Sequence, residues 1–253
     1  MTRSIAIVSG KGGVGKTTTA INLGISLNQL GKSVIVVDAN LSTPDVGLSL
    51  GAPVVPIALQ HVLSNKSDFS KAIYRHHSGV RIMPSSLSFN GESDISSLKK
   101  VVSDLKKIHD LVLIDCAAGI NKETLSVMDA ADECLIVTNP EMPALSSALK
   151  TIKAARQMDK KIIGVVLAKT GRKGINAKNI GQLLENEILG EIPEDKNARN
   201  ALMKRDALVM AYPRSKASRG YGKIAKIIVG GYSDSRLGKF VEILNDFKDL
   251  VSD

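Results

Sequence analysis

Gly10-Lys11-Gly12-Gly13-Val14-Gly15-Lys16-Thr17-Thr18 is the stretch that decides the fold, because of what stands on either side of it. The apolar run Ser4 to Ser9 precedes it and reads as a buried strand. Thr17 to Leu30 follows with apolar residues at helical spacing. A strand, then the pattern G-x-x-x-x-G-K-[ST] carried by Gly10, Gly15, Lys16 and Thr17, then a helix, is the setting in which such a segment forms a phosphate-binding loop. A flexible glycine-rich turn fits that context poorly. The glycines at 10, 12, 13 and 15, with Val14 among them, let backbone N–H groups converge on phosphate oxygens where side chains would block approach. A helix starting near Lys16 adds the partial positive charge of its N-terminus. In such a loop Lys16 bridges the β and γ phosphates, the Thr17 hydroxyl is placed to coordinate Mg²⁺, and Thr18 reaches the α phosphate.

Lys11 calls for a different explanation. A loop that already holds Lys16 has little need of a second cation on its own phosphates. Across a pair of subunits the residue makes sense, entering the facing site and stabilising transition-state charge, a role in which a trans-acting arginine is worth about 10³ to 10⁵ in rate. The expectation is an NTPase that works as a pair.

Strand patterns at Ser33 to Asp38, Leu111 to Asp115, Glu133 to Thr138 and Lys161 to Ala168 alternate with helical patterns at Leu98 to Ile108 and Pro143 to Arg156. That alternation predicts an α/β fold, a mostly parallel sheet with helices on both faces. Asp38 and Asp115 each end an apolar strand, and ligands of open α/β sheets bind beyond the carboxyl ends of the strands. Both are candidates for Mg²⁺, Asp115 through water. The alternative is that a strand-ending Asp caps the next turn.

At this point the chain resembles the MinD/ParA family of deviant Walker A ATPases, and within it the archaeal-type MinD members. Val36-Val37-Asp38-Ala39-Asn40 through Gly51 is similar to the family's switch I. Leu113 to Gly119 is similar to Walker B and switch II, and Val137-Thr138-Asn139-Pro140-Glu141 to a segment typical of MinD. Gly190 to Asp195 resembles the loop that lies along the nucleotide base, and Ser215 to Arg219 the start of a late helix. The resemblance implies ATP and Mg²⁺ as cofactors, with Lys169, Pro193 and Asp195 beside the nucleotide. It also implies two subunits sandwiching ATP, with Lys11 reaching across.

Two departures carry expectations. Asn40 stands where the family usually has a second switch I Asp, implicated in positioning the attacking water; an amide orients water but cannot take up its proton. Phosphoryl transfer depends on positioning and charge stabilisation, so slowed rather than abolished hydrolysis is one reading. Compensation by Asp45, or a neutral variation, is the other. Ala168-Lys169 stands where the family commonly has Asn-Arg and the Asn reads adenine. Without those hydrogen bonds, ATP over GTP selectivity is expected to weaken, unless backbone groups around Pro193 to Asp195 compensate.

At 253 residues and 43% hydrophobic content the chain can bury a sizeable core as one domain. Residues 1–232 are expected to form the ATPase domain and residues 233–253 a C-terminal helical extension. No apolar run approaches the roughly 20 residues needed to cross a bilayer, and the start of the chain does not read as a signal peptide. A soluble, cytoplasmic protein, peripheral on membrane or nucleoid if it uses either surface, is expected. Cys116 and Cys134 lie in strand patterns and read as small core residues, and the absence of C-x-x-C argues against an iron-sulfur carrier.

Residues 196–239 hold eleven Lys and Arg against Asp206 and Asp234, a net +9 that equals the charge of the whole chain. That stretch, including Arg214, Lys216, Arg219, Lys223 and Lys226, suits an acidic partner, either DNA or an anionic membrane surface, or it is a solvated basic face. Leu237, Phe240, Val241, Leu244, Phe247, Leu250 and Val251 mark an amphipathic helix whose polar face mixes both charges. Packing on the protein or a partner helix suits it better than membrane insertion, which favours Lys and Arg on that face. The resulting expectation is an ATP-dependent switch with catalytic Lys11, Lys16 and Asn40. It would form a homodimer with ATP and answer to an activator protein, placing a division, motility or sensory assembly. The alternatives are a DNA-binding segregation ATPase and a nucleotide-binding scaffold with negligible turnover.

Overall fold

The computed structural model describes residues 2–89, 91, 93–171 and 176–230. The strands are β1 Arg3–Val8, β2 Val34–Asp38, β3 Tyr74–Arg75, β4 Arg81–Met83, β5 Leu111–Asp115, β6 Glu133–Thr138, β7 Lys161–Thr170 and β8 Ile188–Pro193, of which β1, β2, β5, β6 and most of β7 are buried runs rich in Val, Ile and Leu. They make one sheet in the order β3-β4-β2-β5-β1-β6-β7-β8. Every pairing is parallel except that of β3 with β4. The helices are α1 Lys16–Gln29, α2 Val46–Ser49, α3 Leu59–Leu63, α4 Leu98–Lys106, α5 Lys122–Ala130, α6 Met142–Gln157, α7 Ala177–Leu184, α8 Lys196–Met203, α9 Leu208–Ala211 and α10 Lys216–Val229.

Strand residues alternate between two cores. Ile5, Ile7, Val36 and Leu113 pack with Leu23 of α1 and Tyr221 and Ile224 of α10. Ala6, Val8, Val37 and Ile114 pack with Leu105 of α4, Val127 of α5 and Ile152 of α6. Burial on both faces is why these strands read as continuous apolar runs rather than alternating ones. Helix α1 lies so close to the sheet that a Cβ on Gly24 would come 2.7 Å from Val36 Cγ2.

Strands β5 and β6 match their expected bounds, and β1, β2 and α1 are shifted or trimmed by a single residue. β7 runs two residues past Ala168 because its end pairs with Ile192 and Pro193 of β8. The β3–β4 edge has no signal in the sequence, since strands of two and three residues are too short to show a period. Cys116 and Cys134 are buried free thiols as expected, and Cys116 Sγ donates to the Ile7 carbonyl at 3.1 Å. Burial pushes the Cys134 thiol up to about 12. The amphipathic segment 235–251 lies outside the described residues. No described helix is long and apolar enough to cross a membrane.

Candidate functional site

The loop from β1 to α1 turns through two glycines with positive φ, Gly13 at 75° and Gly15 at 104°. Such angles are open to glycine at little cost. Gly15 is the N-cap of α1 and supplies no side-chain cap, and no acidic residue occupies the first turn. The positive end of the helix is therefore left for an anion. Gly10 has a separate reason to lack a side chain: a Cβ there would come 2.3 Å from the Ser147 carbonyl oxygen on α6. The loop is held from the far side by groups distant in sequence. Lys169, itself at φ 56°, donates from Nζ to the Gly13 carbonyl at 2.7 Å. The buried Asn139, its amide turned to face acceptors, donates to Val14 O at 3.0 Å and Ala168 O at 3.3 Å.

Asp38 and Asp115 are register partners at the ends of the adjacent strands β2 and β5, and both side chains are fully buried. Thr17 Oγ1 donates to Asp115 Oδ2 at 2.6 Å, while Asp115 Oδ1 is buried without a partner. Asp38 accepts the backbone N–H groups of Asn40 at 3.2 Å, Asp45 at 3.1 Å and Val46 at 3.0 Å. Burial pushes the Asp115 carboxyl up to about 7, with Asp45 adding to the rise and the Thr17 hydrogen bond and Lys16 opposing it. Burial, and then the charge of Asp115, hold Asp38 well above the usual carboxylate range against its three N–H donors. Two neighbouring buried carboxylates with one orphaned oxygen, facing a threonine hydroxyl and the buried Lys16, form an oxygen donor set suited to a hard divalent cation such as Mg²⁺.

Asn40 is nearly buried, and its amide is occupied locally. Nδ2 donates to the Thr43 carbonyl and to Thr43 Oγ1, while Oδ1 accepts from Thr43 N at 3.3 Å. Lys11 lies at the surface, where Nζ stands 3.5 Å from Glu141 Oε2 in an exposed ion pair. Val14, Gly15, Thr18, Lys169, Pro193 and Asp195 border a cleft of about 730 Å³, with Ala168 in its wall. Asp195 also caps α8 by accepting from Asn197 N at 2.9 Å. A second hollow of about 620 Å³ opens on Thr17, Thr18, Asp45, Leu202, Asp206 and Leu208.

The phosphate-loop residues, Asp38, Asp115, Lys169, Pro193 and Asp195 thus gather at one end of the sheet, where the Lys11 side chain points along the surface. Sequence reasoning gave no role to Asn139, Glu141 or Tyr221, which lines the cleft. Asn139 and Glu141 fall inside the MinD-like segment Val137 to Glu141, so a positional signal existed without a function attached to it.

The family model for an AAA domain matches residues 2–165. An uncharacterized ATP-binding protein of Methanocaldococcus jannaschii is 38% identical over 89% of this chain and 88% of its own. The crystal structure of the cell division ATPase MinD of Pyrococcus furiosus superposes with a TM-score of 0.87 at 33% identity, covering 91% of this chain and 99% of that one. The septum site-determining protein MinD of Pyrococcus horikoshii, solved in complex with Mg-ADP, gives 0.86 at 33% identity, covering 90% and 96%. This chain, with its phosphate loop and its carboxylates at the ends of β2 and β5, belongs to the MinD/ParA family of P-loop ATPases, which use nucleotide and Mg²⁺.

Proposed function

We propose that this protein is an ATP-dependent dimerising switch that hydrolyses ATP to ADP and phosphate and sets the intracellular position of a larger assembly. The observation that carries the reading is the pairing of Asp38 and Asp115 at the strand ends against the Thr17 hydroxyl. In this reading Gly10, Lys11, Gly12, Gly13, Val14, Gly15, Lys16, Thr17 and Thr18 cradle the phosphates, and Lys16 meets the β and γ oxygens. Thr17, Asp38 and Asp115 hold Mg²⁺, which neutralises charge developing on the phosphoryl oxygens. Lys169, Pro193 and Asp195 flank the base in the cleft. Lys11 leaves Glu141 and enters the facing subunit. Asn40, its amide committed to Thr43, leaves the attacking water poorly held, so turnover is slow and the ATP dimer long-lived. Residues 1–232 act as the ATPase domain and residues 233–253 as a helical extension. The cell-division MinD relatives support a division, motility or sensory assembly as cargo, with a partner protein triggering hydrolysis.

Light-scattering mass with ATP, with ADP and without nucleotide, on wild type and on Lys11→Ala, tests the switch. A dimer formed only by wild type with ATP supports it; a monomer throughout overturns the trans-lysine arrangement.

One observation favours a second reading, a DNA-binding segregation ATPase. Arg214, Lys216, Arg219, Lys223 and Lys226 are all exposed, while Ala217, Tyr221, Ile224 and Ile228 of α10 are buried, so the helix presents one basic outer face. Salt-dependent DNA binding that requires ATP would support this reading, whereas ATP-dependent binding to anionic liposomes would support the MinD-like one.

A further inference from the structure

Away from the phosphate loop, the turn after β3 places His76 and His77 beside Asp206, which lies in the connector between α8 and α9. One ring nitrogen of each histidine and one carboxylate oxygen of Asp206 lie within 4.8 Å of one another. His77 Nε2 is 3.2 Å from Asp206 Oδ1. Two donors bound to one tetrahedral ion at about 2.0 to 2.2 Å stand about 3.3 Å apart, so this pair already has the spacing of two ligands. His76 is 8% exposed. Its Nδ1 meets Ser78 Oγ at 2.9 Å and the Ser78 backbone N–H at 3.3 Å, and its Nε2 is buried without a partner. A buried nitrogen with nothing to bond is costly unless something fills the gap, and in the tautomer whose Nδ1–H donates to Ser78 Oγ the Nε2 lone pair is left for a metal.

We propose that His76, His77 and Asp206 bind a divalent transition-metal ion of the zinc class, distinct from the Mg²⁺ held by Thr17, Asp38 and Asp115. Two imidazoles and one carboxylate favour Zn²⁺, Co²⁺ or Ni²⁺ over Mg²⁺ or Ca²⁺, and water completes the coordination. Burial first, then the neighbouring His77, draws the His76 imidazole below the usual histidine range, with Asp206 opposing. The neutral, ligating form is thereby present at neutral pH.

The ion would clip two separate parts of the chain together. His76 and His77 follow an edge strand, and Asp206 belongs to the wall of the hollow that opens on Thr17 and Asp45. The adjacent Arg205 packs on Gly51, where a Cβ would sit 3.3 Å from the arginine Cβ. Binding therefore fixes the connector against both the sheet edge and the segment that follows Asp38.

The test is titration of the nucleotide-free, metal-stripped full chain with Zn²⁺ by calorimetry, alongside hydrogen exchange at residues 204–207. Wild type is expected to take up one ion per chain and to slow exchange at the connector. His77→Ala and Asp206→Asn each weaken uptake by about tenfold or more, while His61→Ala leaves it unchanged. His77 is 60% exposed at its side chain, so its replacement does not threaten the fold. Absence of uptake, or uptake indifferent to both His77→Ala and Asp206→Asn, overturns the proposal.

Discussion

The Thr17 hydroxyl donates a 2.6 Å hydrogen bond to Asp115 Oδ2 across 98 residues of chain, and the other oxygen of that carboxylate is buried with no partner. The bond joins the first turn of α1 to the end of β5 and holds the two groups in place. Asp38 stands beside them accepting three backbone N–H groups, which leaves one of its roughly four lone-pair sites open. Preorganisation has a cost, because two neighbouring carboxylates share a site that water does not reach.

That cost gives a pH dependence with a defined sign. The Asp115 carboxyl is raised from 3.8 to about 7, so the nucleotide-free protein binds more protons than the unfolded chain between those values. The stability this group contributes is therefore full below the lower value and is lost as pH rises through about 7. Burial works the opposite way on His109, drawn down to about 4, and on His76. The effect is therefore read without nucleotide as the melting temperature of wild type minus that of Asp115→Asn, which should fall from about pH 5 to about pH 8. A difference that rises or stays level over this range would contradict the arrangement. Because Asp38 is coupled to Asp115 the slope belongs to the pair.

The ion pair of Lys11 with Glu141 is exposed on both sides, and such pairs are worth about 0 to 1 kcal/mol. Lys11→Ala should leave monomer melting unchanged and abolish the ATP dimer. Glu141→Ala should strengthen that dimer by no more than about fivefold, by freeing the lysine. Sedimentation equilibrium with ATP measures both, and weaker dimerisation in Glu141→Ala would assign the glutamate to the interface instead.

Asn40→Asp pulls stability and turnover in opposite directions. It removes the amide donor to Thr43 and adds a further carboxylate near Asp38, Asp45 and Asp115, which should cost the nucleotide-free protein about 1 to 3 kcal/mol. Single-turnover hydrolysis should rise by up to about 10²-fold, with a shorter-lived ATP dimer. Unchanged turnover and lifetime would end the slow-enzyme reading.

Gly24→Ala sets helix propensity against packing. Alanine gains about 1 kcal/mol in a helix, but the new Cβ would meet Val36 Cγ2 at 2.7 Å between a helix and a central strand. Overpacking of about 1 to 3 kcal/mol should win. Urea denaturation should show a lower midpoint with an unchanged slope.

Ala168 lines the cleft beside Lys169 with no side-chain hydrogen bonds to offer. GTP should compete with ATP more nearly as an equal in wild type than in Ala168→Asn. Strict ATP preference in the wild-type competition assay would show that Ala168 does not limit selectivity.

The sequence by itself determined the phosphate loop, the strands that carry Asp38 and Asp115, and the two-faced parallel sheet. Each depends on near neighbours along the chain: glycine spacing sets the turn, runs of Val, Ile and Leu set strands buried on both faces, and helical spacing sets α1 and α6. What tertiary structure alone decided is everything that rests on strand order. The bond from Thr17 to Asp115, the support of the loop by Asn139 and Lys169, and the pairing of Lys11 with Glu141 join residues that only the order β2-β5-β1-β6-β7 brings to one end of the sheet. The His76, His77 and Asp206 cluster needs an edge of two short strands, whose few residues cannot establish a period. Local patterns fix local geometry, whereas contacts between distant segments follow from how whole elements bury their apolar faces together.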